Sequence, residues 1–122
     1  MATLFDRIGG FGTLSKVVLS FYDRVLDDDV LSPYFADVDM RRLIDHQTKF
    51  VAFLMGGPAS YTDEHLRLAH ARLGIDGQAF ERMTEVMRDT LEDFRIADRD
   101  VDHVISQIHL RRELIVAAPT PA

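Results

Sequence analysis

Three side chains able to donate hydrogen bonds or ligate a metal fall where helical periodicity places apolar ones: Tyr22, Gln47 and His70. At about 100° per residue, Met40, Leu43, Ile44, Gln47, Val51 and Leu54 share one stripe, with Gln47 near its centre. A buried amide without partners costs about 1–3 kcal/mol, so Gln47 needs a hydrogen-bond partner, such as backbone or a buried water. His46 falls on the shoulder of the same stripe, where it reads as a half-exposed surface histidine. Tyr22 belongs to the apolar face made by Leu14, Val17, Val18, Phe21, Val25 and Leu26; such a ring packs inside while its hydroxyl reaches for water. His70 has Leu66 at i−4, Ala69 at i−1 and Leu73 at i+3. A neutral imidazole in that setting is either a satisfied core histidine or a ligand to a metal.

No His, Asp or Glu shares the His70 face at i+3 or i+4, so a zinc or di-iron site built by protein alone is not expected. A metal on His70 would draw its other ligands from a cofactor, and haem supplies four nitrogens while leaving two axial places.

The elements that carry these residues read as helices, and the fold class is all-α. The spacing predicts a first helix from Gly12 or Thr13 to Leu26, ended by Asp27-Asp28-Asp29, whose charge is unfavourable at a helix C-terminus. A turn follows over Val30 to Phe35, limited by Pro33. Asp39 is the expected N-cap of a helix that Gly56-Gly57-Pro58 stops. Further helices are predicted from Thr62 or Asp63 to Leu73, with Gly74 at C′, from Gly77 to Phe94, and from Asp98 to Val116. The 122 residues are expected to form one domain, 1–122, with 117–122 as a disordered tail.

Composition narrows the chemistry. Fourteen Lys and Arg against 20 Asp and Glu leave a net charge of −6, a poor match to nucleic acid or an anionic membrane. The absence of cysteine excludes disulfides, thiolate zinc, iron–sulfur clusters and thioether-linked haem. No apolar run is long enough to span a bilayer, and residues 1–6 lack a basic, then apolar, secretory pattern. A cytoplasmic protein is the expectation.

Several blocks in order resemble the group I truncated haemoglobins: Leu4-Phe5-Asp6-Arg7-Ile8-Gly9-Gly10, Phe21-Tyr22-Asp23-Arg24-Val25-Leu26, Phe35-Ala36-Asp37-Val38-Asp39-Met40, His46-Gln47, Gly56-Gly57-Pro58, Tyr61-Thr62 and Ala69-His70-Ala71-Arg72-Leu73-Gly74-Ile75. The resemblance runs from residue 4 to about residue 116. It implies a two-over-two helical sandwich around haem b, with His70 as proximal iron ligand and Phe35 packed on the porphyrin face. Tyr22 and Gln47 match the distal pair that donates hydrogen bonds to a gas. Leu43 takes the place where many globins carry a distal histidine or glutamine. The paired glycines match motifs that let the chain turn tightly beside the haem.

The resemblance also implies roles for residues at the edges. His46 matches a position that faces a haem propionate in many members and ligates the iron as a sixth ligand in the subgroup this chain is most similar to. His109, followed by Leu110 and Arg111, resembles a histidine that can bond covalently to a haem vinyl; the alternative is packing at the haem edge. Arg42, Lys49, Arg67 and Tyr61 are the candidate propionate partners. Phe50, Leu66, Leu73, Phe80 and Met83 would line the pocket. His65 and His103 fall on charged faces and read as surface residues.

Function follows the resemblance. It implies a monomeric protein that binds O2, NO or CO and removes NO as a dioxygenase, with electrons from an unidentified external reductase. The alternative is a bis-histidine redox or electron-transfer protein that protects against reactive nitrogen or oxygen species. A haem-free helical interaction domain is the third reading.

Overall fold

The computed structural model describes residues 2–59 and 74–116, and every regular element among them is helical. The helix expected over 62–73 lies outside the described residues, as does the tail 117–122. The elements are α1 (Leu4–Ile8), α2 (Gly10–Leu26), a 3-10 turn (Ser32–Phe35), α3 (Met40–Leu54), α4 (Gly77–Asp93), α5 (Asp98–Leu110) and α6 (Arg112–Ile115).

Four of these close a ring. α2 packs on α3 and on α4, α4 packs on α5, and α5 returns to α3. Each helix turns its apolar stripe inward: Leu14, Val17, Val18, Phe21, Tyr22 and Val25 from α2, Phe50, Val51 and Leu54 from α3, Phe80, Met87 and Leu91 from α4, and Val101, Val104, Ile105 and Ile108 from α5.

Caps set where these helices begin. Asp39 is the N-cap of α3, its carboxylate accepting from the Arg42 N–H at 3.3 Å. Asp76 does the same for α4, accepting from the Ala79 N–H at 2.8 Å. Two boundaries differ from the sequence reading. α1 precedes the first expected helix, started by a capping box in which Thr3 Oγ1 accepts from the Asp6 N–H at 3.1 Å and Asp6 returns the bond to the Thr3 N–H. The last helix is broken at Arg111, whose N–H donates to the Ile108 carbonyl in a tighter turn before α6 resumes.

The two glycine pairs serve one joint, between α1 and the end of α3. Gly9, with φ 112°, closes α1 and opens α2. The Phe5 N–H donates to the Met55 carbonyl at 3.1 Å, and the Phe5 ring lies over Gly57. A Cβ at residue 57 would stand 2.7 Å from Phe5 Cγ and 3.0 Å from the Ala52 carbonyl oxygen. The close approach at Gly57 is therefore made to Phe5. Arg7 ties the same end to α5 through a bidentate pair with Asp100, at 3.1 and 3.2 Å.

Asp28 anchors the exit of α2. Its carboxylate accepts from the N–H groups of Val30 and Leu31 at 2.9 and 3.2 Å and from Arg82 Nε of α4 at 2.7 Å. The Arg82 hydrogen bond, opposed by partial burial and aided by the two backbone donors, holds the Asp28 carboxyl below the usual carboxylate range.

Two outcomes follow. Gly57→Ala is expected to lower stability by about 1–3 kcal/mol in urea denaturation of the haem-loaded protein, because ring and carbonyl must both move. For Asp28, a depressed native pKa contributes stability that is complete above the ordinary carboxylate pKa and disappears as pH falls through the native value. The difference in melting temperature between wild type and Asp28→Asn is therefore expected to be largest near neutral pH and to close on acidification.

Candidate functional site

The ring of helices borders a partly open cavity lined mostly by apolar side chains. α2 contributes Val18, Phe21 and Tyr22 to its wall, and α3 contributes Leu43, Gln47, Phe50 and Val51. Phe35 enters from the 3-10 turn, Met83, Thr84 and Met87 from α4, and Ile75, Ile108 and Ile115 close the remaining sides. The break at Arg111 precedes Ile115, which α6 brings to the wall.

Five residues singled out in the sequence thus converge: Tyr22, Phe35, Leu43, Gln47 and Phe50. Met83, expected in the lining, is there as well. Tyr22 is buried, its ring meeting Phe21 edge-on at 4.9 Å and Phe35 at 5.9 Å. Those contacts hold the phenol at the cavity wall, a helix away from Gln47. Gln47 is 9% exposed and makes no side-chain hydrogen bond among the described residues. The third polar lining residue, Thr84, turns its hydroxyl to the Glu81 carbonyl at 2.8 Å.

Other candidates stand outside this wall. Phe80 is fully buried, its ring edge-on to His109 at 5.5 Å and beneath the Arg112 guanidinium at 5.7 Å. His109 is exposed and borders a surface hollow that shares Thr84 with the cavity. His46 is exposed, and so is Arg42. Lys49 is exposed and pairs with Asp45 at 3.1 Å. His103 is a surface residue, as its charged surroundings imply. His70, Tyr61, Leu66, Arg67, Leu73 and His65 lie outside the described residues. Gly74, just beyond them, has φ 64°, the left-handed conformation expected of a C′ glycine.

Ile75, Thr84, Met87 and Ile115 belong to the wall without having been singled out for it. Their signal was present as apolar or small residues on inward stripes, but periodicity does not separate a cavity wall from a filled core. Among the described residues no three His, Cys, Asp or Glu side chains come together as a metal site. The arrangement suits a large, mostly apolar guest met by two polar groups, Tyr22 and Gln47, from adjacent helices. No helix among the described residues is long and apolar enough to cross a membrane.

Comparison with known proteins agrees with this reading. A family model for bacterial-like globins matches residues 3–116. The group 1 truncated haemoglobin GlbN of Synechocystis sp. is 34% identical over 102 residues, covering 80% of this chain and 82% of that protein. The crystal structure of the truncated haemoglobin of Tetrahymena pyriformis in its Fe(III) form superposes with a TM-score of 0.86 at 25% identity, covering 96% of this chain and all of the other. The 2/2 haemoglobin of Synechococcus sp. PCC 7002, described in the cyanomet state with covalently attached haem, shares the fold at a TM-score of 0.85 and 24% identity, over 94% and 98% of the two chains. The chain belongs to the truncated haemoglobins of the bacterial-like globin family, whose members bind diatomic gases at haem iron.

Proposed function

We propose that this protein binds O2 on a b-type haem and uses it to convert NO to nitrate in the cytoplasm, with the electron supplied by a separate reductase. The observation that carries this is that Tyr22 and Gln47 line one cavity whose remaining wall is apolar but for Thr84, its hydroxyl spent on the Glu81 carbonyl. The composition of the wall suits haem: Phe35 and Phe50 are aromatic, Leu43 and Met83 apolar, and the polar Tyr22 and Gln47 come from α2 and α3. Haem, when bound, supplies an iron that takes a diatomic gas and through which NO, O2 and one electron become nitrate.

The protein's own part is to hold, orient and shield. His70, with Leu66 and Leu73 at i−4 and i+3 in the sequence, would hold the iron, and Tyr61, Arg42 and Arg67 would serve the propionates. Tyr22 Oη donates a hydrogen bond to the gas from α2, and Gln47 Nε2 donates a second from α3. Where haem supplies the iron, both donors would favour retention of a gas that carries partial negative charge. Phe35, Phe50 and Leu43 would keep water from that part of the cavity. His46 stands exposed on α3, which favours gas binding over a bis-histidine electron-transfer role. His109 stands edge-on to Phe80 and outside the wall, which favours a haem that would be held by packing and by His70 without a covalent bond to His109.

Each charge-assisted hydrogen bond is worth about 1.5–3 kcal/mol, or roughly ten- to a hundredfold in rate. Tyr22→Phe is therefore expected to speed O2 dissociation by that factor in stopped-flow measurements; an unchanged rate would remove Tyr22 from the role. Acid–butanone extraction of the purified protein is expected to carry the haem into the organic layer. Haem that stays with wild type but leaves His109→Ala would show a covalent bond instead.

A further inference from the structure

α2 has a second worked face, directed away from the cavity. Gly12, Leu19 and Leu26 recur at intervals of seven along it, so they lie nearly in line. Leu19 is 50% exposed and Leu26 44%, with Phe11 at 41% beside them. Lys16 and Asp23 flank this line, each four residues after a member of it. Both are exposed, and neither has an ion-pair partner among the described residues. Gly12 is equally unexplained by the fold. Its φ is not positive, and a Cβ there would meet nothing within 4 Å.

We infer that this face receives a second copy of the chain, with the two α2 helices antiparallel about a twofold axis beside Leu19. The pattern is self-complementary, which is what a twofold interface requires. Running antiparallel, Lys16 of each copy meets Asp23 of the other, so the same ion pair forms twice. The same register lays Leu26 over Gly12 of the partner, where a side chain would hold the helices apart, and brings the two Leu19 side chains together. A parallel arrangement would set Lys16 against Lys16 and Asp23 against Asp23. The charges therefore select the orientation. A single helix face is small beside the roughly 800 Å² per partner of a stable complex, so the dimer is weak and concentration-dependent. This revises the expectation of a monomer and is independent of the gas chemistry.

Charge reversal tests it without touching the cavity. In Lys16→Asp the two pairs become Asp–Asp, and in Asp23→Lys they become Lys–Lys. Mixed together, the two variants restore opposite charges at both positions. Sedimentation velocity of haem-loaded wild type is expected to show a sedimentation coefficient that rises with concentration. Each variant alone is expected to associate about tenfold more weakly, and their equimolar mixture to regain wild-type association. Leu19→Glu is expected to stay monomeric, with its Soret band and circular dichroism unchanged because the site is exposed. Wild type that sediments as a monomer at every concentration overturns the inference. So do variants that associate like wild type, or a mixture that fails to recover.

Discussion

Gln47 lies nine-tenths buried on an α3 face whose neighbours are Leu43, Phe50 and Val51, and its amide, which keeps some accessible surface, forms no side-chain hydrogen bond among the described residues. A core closed around it would forfeit about 1–3 kcal/mol for that one group. A guest in the cavity that this amide borders would offer it an acceptor and cover the apolar wall of Phe35, Phe50, Met83 and Met87. In this family that guest is haem.

Everything around the cavity then works to hold its walls apart at fixed separation. α2 and α3 carry Tyr22 and Gln47, and their spacing is set where they meet α1. Phe5 enters the gap above Gly57 while its N–H caps the Met55 carbonyl, so one residue pins both the ring and the end of α3. At the opposite end of α2, Asp28 joins the chain's exit to Arg82 on α4. Arg24 adds a second tie from α2 to Asp93. These are modest exposed interactions singly. Placed at both ends of α2, they limit how far the Tyr22 helix can slide against its neighbours.

Much of this was legible in the residues. Gln47 falls at the centre of the α3 stripe by periodicity alone, and the caps at Asp39 and Asp76 begin their helices within a residue of where the sequence places them. α1 escaped because a five-residue helix shows too little periodicity, although Thr3 and Asp6 at capping-box spacing announce it. The break at Arg111 left no glycine or proline to mark it, and Ile115 owes its place at the cavity to the segment beyond that break. His46 and His109 show the other limit. A residue on the shoulder of a stripe turns inward or outward with a small helix rotation, and periodicity carries no information on which. Both are exposed here.

The remaining tension lies in α2, whose outer face departs from what a solvated helix needs. Half-exposed Leu19 and Leu26 keep apolar surface in water, and Gly12 gives up as much as about 1 kcal/mol of helix propensity against alanine. Local features that disagree with the fold tend to mark function, since a sequence otherwise settles each level consistently. On the inner face that rule picks out Tyr22, which borders the cavity. Applied to the outer face it picks out Gly12, Leu19 and Leu26 together with two charges of opposite sign at symmetric positions. A face that needs a partner, and carries the complement of its own charges, is answered most simply by itself. α2 then presents two surfaces, with Tyr22 at the cavity on one side and Gly12, Leu19 and Leu26 on the other.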